Sequence, residues 1–169
     1  LKTLLQHNIA LLAYHLPLDA HPVYGNNICL ANKMGWEITG PLLGFMQPDI
    51  GCMGSLKLPQ QPEQISASLK EILGNPIKHI AAKKPLIHRI AWCTGAAQDG
   101  IVQAAEQGAD AYITGEISER TVYLARELNI HFFAAGHHAT ERYGVQSLGK
   151  KLAKDYDLIH HYVELDNPV

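Results

Sequence analysis

The sequence predicts an α/β fold in which mixed or largely parallel sheets are flanked by helices and the chain divides into two lobes. Three observations carry that expectation. From about residue 87 onward, apolar runs of strand length alternate with amphipathic stretches of helix length, the pattern of strands joined through crossover helices. Glycines such as Gly74 and Gly108 stop the helical stretches, and Gly136 stops an apolar strand. Between Gly40 and Gly54 the chain is dense in turn formers, with Pro41, Gly44, Pro48, Gly51 and Gly54, a composition that suits a hairpin or a linker. The lobes are placed at 1–50, the remainder of a first lobe, and 51–169, the second.

In chain order, residues 1–6 read as the end of a helix and Ile9 to Tyr14 as a buried-type strand. The loop that follows holds Pro17 and Pro22, which argue against a helix there. Asn26 to Met34 reads as a helix ending before Gly35, and Ser55 to Leu58 as a strand. Pro62 to Leu73 is a helix with proline in its first turn and one apolar face of Ile65, Leu69, Ile72 and Leu73. The alternation then runs strand Ile87 to Thr94, helix Gln98 to Gln107, strand Ala111 to Thr114, helix Ser118 to Leu128 and strand Ile130 to Ala135. A helix from Ala139 to Tyr156 is expected to bury Val145, Leu148 and Leu152, and a last strand to run from Leu158 to Leu165.

Composition narrows the function classes. With 47% hydrophobic and 18% charged residues the chain is of ordinary globular type, and a formal charge of -2 provides no basic field for strong nucleic-acid binding. Single nucleotides remain possible substrates. The three cysteines form no Cys-x-x-Cys pair and sit in no nucleophile motif, which points to a reducing cytoplasm rather than a disulfide framework. No run approaches the ~18 apolar residues of a membrane span. The chain starts at Leu1 inside helix-like sequence, so an upstream segment is expected to be absent. Its loss would leave Ile9 to Tyr14 with a bare edge, and the chain alone is expected to be poorly soluble.

Ten histidines are the compositional oddity, and the clustered ones point to metal. In Phe132-Phe133-Ala134-Ala135-Gly136-His137-His138-Ala139-Thr140-Glu141-Arg142 an apolar strand stops at a glycine and delivers two imidazoles and a carboxylate. Four-residue spacing puts His137 and Glu141 on one side of a helical turn, with His138 aimed elsewhere. These donors suit zinc, manganese, iron or nickel. Asp19 lies between His15 and His21 just past the expected first strand, where ligands bind in open α/β sheets. Glu116 ends another strand as a candidate acid, base or partner to a ligating histidine. Each residue also fits a plainer role, as turn former or first-turn acid. Thr94-Gly95-Ala96-Ala97 stands at a strand-to-helix turn that could receive a phosphate, although it lacks G-x-G-x-x-G and any P-loop lysine.

Taken together, His15-Leu-Pro-Leu-Asp19-Ala-His21-Pro, Trp92-Cys-Thr-Gly95, Ala109-Asp-Ala-Tyr-Ile-Thr-Gly-Glu116 and Ala134-Ala-Gly-His137-His-Ala-Thr-Glu141-Arg142 resemble the YbgI group. This is the bacterial branch of the Nif-three-like family, labelled GTP cyclohydrolase 1 type 2 homologues. The resemblance implies a two-lobed subunit, a toroidal homohexamer and a centre of two divalent metal ions facing the internal cavity. Asp19 matches the family's aspartate ligand, His137 its later histidine, and Glu141 the glutamate that bridges the metals. The family's other ligands come from an upstream His-His-Gly motif that this sequence does not contain, so the chain reads as such a protein lacking its N-terminal third. Gly95-Ala96-Ala97 stands where relatives often have consecutive glycines, and Tyr143 where glycine is common. The implied activity is metal-dependent hydrolysis of a purine nucleotide, GTP ring opening above all, with His15 or Glu116 as proton shuttle. The rival expectations are a ring-forming metal-binding interaction protein and a hydrolase of damaged nucleotides in DNA-damage resistance.

Overall fold

The structure, a computed structural model, describes residues 1–167. Its elements in order are α1 (Lys2–Gln6), α2 (Leu16–Ala20), α3 (Asn26–Met34), β1 (Glu37–Pro41), β2 (Cys52–Gln60), α4 (Pro62–Leu73), β3 (Lys78–Ile80), β4 (Ile87–Cys93), a 3-10 turn (Gln98–Gly100), α5 (Ile101–Glu106), β5 (Ala111–Thr114), α6 (Glu119–Glu127), β6 (His131–Ala134) and α7 (His137–Tyr156). All six strands join one mixed sheet ordered β1-β2-β4-β5-β6-β3. The central β4-β5-β6 pairs are parallel, and the β1-β2, β2-β4 and β3-β6 pairs are antiparallel.

Helices on both faces explain why the central strands read as unbroken apolar runs rather than alternating ones. Ile90 and Trp92 of β4, Ala111 and Ile113 of β5, and Phe133 of β6 pack with α3, α4 and α7. The intervening Ala91, Cys93, Tyr112, Phe132 and Ala134 pack against α5 and α6. Period-two geometry thus splits one hydrophobic run between two cores. Local signals agree: Gln61 and Gln64 form a capping box at the start of α4, and Ser118 and Thr121 form one at α6.

The turn-dense segment after β1 is a hairpin connection, with the Leu42 N–H donating to the Gly51 carbonyl at 2.9 Å. β1 pairs with β2 across residue 50, and Leu30, Ala31 and Trp36 share a core with Ile65 and Ile90.

Several expectations are corrected. Ile9 to Tyr14 is no strand: it has no ladder, and Leu11 and Leu12 stand about 70% exposed. Leu158 to Leu165 likewise pairs with no strand among the described residues. An apolar run becomes a strand only when its N–H and C=O groups find partners on a neighbouring strand, and neither run has such a ladder among the described residues. The proline-bearing loop contains α2, because Pro17 sits in the first turn, where no intrahelical N–H bond is lost. The helix expected over Gln98 to Gln107 is a 3-10 turn followed by the short α5. α7 buries Ala139, Thr140, Tyr143 and Gly144, leaving Val145 exposed and Leu148 and Leu152 half-buried. The short β3 escaped the sequence reading. No helix among the described residues is long and apolar enough to cross a membrane.

Candidate metal centre

Parallel strands deliver their C-terminal ends to one edge of the sheet, and the candidate residues follow from that. β6 stops at Ala134, Gly136 takes φ 94°, and α7 begins on His137. One turn later Glu141 returns to the same side: its Oε2 lies 3.0 Å from His137 Nε2. The loop after β5 brings Glu116, whose Oε1 lies 2.6 Å from His137 Nδ1. From the opposite direction α2 contributes Asp19, only 6% exposed. Asp19, His15, His137 and Glu141 line one cavity of about 220 Å³, with Cys93 and Thr94 in its wall. Residues more than a hundred positions apart in sequence therefore line one cavity.

Two buried asparagines hold this arrangement. Asn26 Nδ2 donates to Asp19 Oδ1 at 2.6 Å, and its own Oδ1 accepts the Gly144 N–H at 2.7 Å. One amide thus ties the Asp19 carboxylate to the helix that carries His137 and Glu141. Asn27 Nδ2 donates to the carbonyls of Asp19 and Ile50, while its Oδ1 accepts the Thr94 N–H. Close approach demands glycine at several points around the site, Gly144 and Gly95 among them. A Cβ on Gly144 would stand 2.5 Å from Asn26 Oδ1, and one on Gly95, at φ 74°, would collide with the Glu141 carboxylate.

In the turn after β4, three of the four backbone N–H groups from Thr94 to Ala97 are already engaged. The Thr94, Gly95 and Ala97 N–H groups donate to Asn27 Oδ1, Thr140 Oγ1 and Thr114 Oγ1. His21 is a turn former, its Nδ1 accepting the N–H groups of Val23 and Tyr24. His138 points away from Asp19 and pairs with Glu164 at 2.7 Å. Neither Asn26 nor Asn27 stood out in the sequence, where an Asn pair opening a helix reads as ordinary end chemistry.

The electrostatics favour a cation. Burial raises the Asp19 carboxyl above its ordinary range, against the opposing pull of the Asn26 hydrogen bond, His15 and His137. Burial and the neighbouring Asp19 charge likewise raise Glu141. Burial opposes protonation of His137, but hydrogen bonding to Glu116, with Glu141 adding charge and a hydrogen bond, raises it overall. A buried and a half-buried carboxylate crowding one cavity are a charge problem that a divalent ion relieves. Their oxygen donors and the imidazole nitrogen are also the types such ions take. The donor set fits in kind but is not closed: among the described residues, no three His, Cys, Asp or Glu groups gather closely enough to hold an ion. The cysteines add no thiolate, burial pushing Cys93 up to about 12 and Cys52 to about 11.

The profile of the Duf34/NIF3 (NGG1p interacting factor 3) family matches residues 1–168. Among curated relatives, the GTP cyclohydrolase 1 type 2 homolog of Pseudomonas aeruginosa is 52% identical over 99% of the chain and 66% of its own length. That of Vibrio cholerae is 45% identical over 100% of the chain and 68% of its length. Of the solved structures, the protein ybgI superposes with a TM-score of 0.93 at 40% identity, covering 99% of this chain and 66% of the other. TTHA1606 from Thermus thermophilus does so at 0.85 and 25%, with the same coverages. The chain thus spans about two thirds of the length of the relatives it matches.

Proposed function

The chain belongs to the Duf34/NIF3 family, and from that premise we propose that it carries part of the centre of a metal-dependent hydrolase acting on a purine nucleotide, in the manner that the relatives' name, GTP cyclohydrolase 1 type 2 homolog, describes. The observation that carries the reading is the convergence of Asp19, His137 and Glu141 on one cavity. Asp19, His137 and Glu141 would hold the metal, two ions in the complete centre, and ligands beyond these three would be needed to close it. A bound divalent ion supplies a hydroxide near neutral pH and polarises the group attacked.

The chain's own residues do the rest. Glu116, accepting from His137 Nδ1–H, fixes the imidazole; Nε2, which faces Glu141 at 3.0 Å and donates to it when protonated, is the nitrogen that would turn to a metal once deprotonated. His15, at the cavity's exposed side, and Glu116 are the groups placed to take or return a proton. Asn26 keeps one Asp19 oxygen occupied and leaves the other for a ligand. Self-association into a ring, the homohexamer of the resemblance, is part of the same reading, supported by the exposed Ile9, Leu11, Leu12 and Tyr14.

Elemental analysis after purification tests the metal assignment. Glu141→Ala and Asp19→Ala are expected to lose metal, and Glu116→Ala to retain most of it; wild-type metal content in Glu141→Ala would overturn the assignment. Incubation with GTP and Mn2+ tests the reaction. Formate and an opened ring support cyclohydrolase chemistry, whereas inorganic phosphate would move the reading to phosphoester hydrolysis.

A further inference from the structure

Beside the candidate centre lies a second, larger cavity of about 560 Å³, into which Glu116, His137 and Glu141 face from one side. Its other wall is built by the tail that follows α7, and one carboxylate of that tail meets three donors. Glu164 Oε1 receives His138 Nε2 at 2.7 Å and Arg142 Nη1 at 3.4 Å, while Oε2 accepts the Tyr162 hydroxyl at 2.7 Å. Three donors meeting on one oxyanion is the arrangement with which proteins recognise carboxylates and phosphates.

Arg142 is fixed for this task. Its Nη2 donates to the Leu73 carbonyl at 2.7 Å and to the Tyr143 hydroxyl at 3.3 Å, leaving Nη1 for the anion. Because His138 follows His137 and Arg142 follows Glu141, helical geometry places both donors beside the candidate ligands, on the adjoining strip of α7. The occupant is the less permanent partner. Residues 158–167 form no helix or strand, and the Glu164 side chain is 44% exposed. The donors hold its carboxyl down at about 2, through hydrogen bonds from His138 and then Tyr162, so it is an anion throughout the physiological range.

We propose that Arg142 and His138, both on α7, form a seat for a phosphate oxyanion beside the candidate metal centre, and that Glu164, braced by the Tyr162 hydroxyl of its own tail, fills it in the ligand-free chain as an internal stand-in. A phosphorylated ligand displaces Glu164 and places the rest of its body over His137 and Glu141. The seat deepens the nucleotide reading by naming where the phosphate binds, yet it requires no metal.

The test is titration of chelator-treated, metal-free protein with inorganic phosphate, guanosine 5′-monophosphate and guanosine, followed by calorimetry and by phosphorus NMR for the two phosphates. Glu164→Gln is expected to bind phosphate about tenfold more tightly than wild type, the order of effect that removal of a tethered competitor produces. Adding Arg142→Gln should abolish that gain. Because Arg142 also braces the end of α4, His138→Gln in the Glu164→Gln background is the second check, and it too should lose most of the gain. Monophosphate binding tighter than phosphate identifies a nucleotide as the source of the anion, and equal binding identifies free phosphate. The seat is overturned if Glu164→Gln binds phosphate no better than wild type, or if guanosine binds as well as its monophosphate. Since metal is absent throughout, such a failure leaves the metal-centre reading standing, and loss of metal binding in Glu141→Ala leaves the seat untouched.

Discussion

The Asn26 amide has no freedom to flip, because its Oδ1 accepts the Gly144 N–H and its Nδ2 must therefore be the end that donates to Asp19. Truncation by Asn26→Ala strands a buried carboxylate oxygen and removes the tie from Asp19 to α7. We expect a loss of about 1–3 kcal/mol in urea denaturation; a loss well below this range would mean that water replaces the amide. Asn26→Asp, which sets a second carboxylate against Asp19, should cost more than Asn26→Ala at pH 7 and converge with it in acid. Glu116 makes a different prediction. Because the folded His137 is raised, its protonated form adds stability that is fully present below the ordinary histidine value of about 6.5 and is lost as pH rises through the folded value. Glu116→Gln removes the leading cause of that rise. The His137 ring resonance in proton NMR should then titrate at lower pH than in wild type, and an unchanged titration would show that Glu141 alone sets it.

Among elements, those with a local signal were legible in the sequence and those with a distant cause were not. α3, α4, β5 and α6 were readable to within a residue or two, from helical spacing, capping residues and glycine stops. Leu69 shows what that spacing is worth: fully buried between Ile65 and Leu73 on the inner face of α4, it should cost about 2–5 kcal/mol when replaced by alanine, measured as a shift in the denaturation midpoint with unchanged slope. β3 was invisible because only three of its residues pair. It is held from across the sheet, where His79 Nε2 meets His131 Nδ1 at 3.0 Å and the His79 ring stacks on Phe133 at 4.4 Å. Ile9 to Tyr14 and Leu158 to Leu165 misled in the other direction, since composition announces a strand but only a partner makes one. Asp19, His137 and Glu141, which line one cavity, could be singled out as candidates because ligand-type residues stood next to loop and glycine signals. Asn26 and Arg142 could not, for their partners at Gly144 and Leu73 lie 118 and 69 residues away.

At the scale of the whole molecule, the apolar run before α2 sets solution behaviour. Ile9, Leu11, Leu12 and Tyr14 are all more than half exposed, so the chain by itself is expected to self-associate as its concentration rises. Light scattering behind size exclusion checks this. Leu11→Lys with Leu12→Glu should raise the monomer fraction while moving stability by no more than about 0.5 kcal/mol per substitution, the usual range for surface changes; persistent association would place the sticky surface elsewhere. The bond between Asn26 and Gly144 also has a kinetic meaning. Neighbouring parallel strands close loops of about twenty residues, as Ile90 with Ala111 and Ala111 with His131, whereas the Asn26 amide and the Gly144 N–H are 118 residues apart. By the logarithmic law of chain closure, the longer loop is dearer in entropy by about 1.5 kcal/mol. A nascent chain can therefore complete its central strands while Asp19 is still unattached, and the cavity takes its final form only when α3 is sewn to α7.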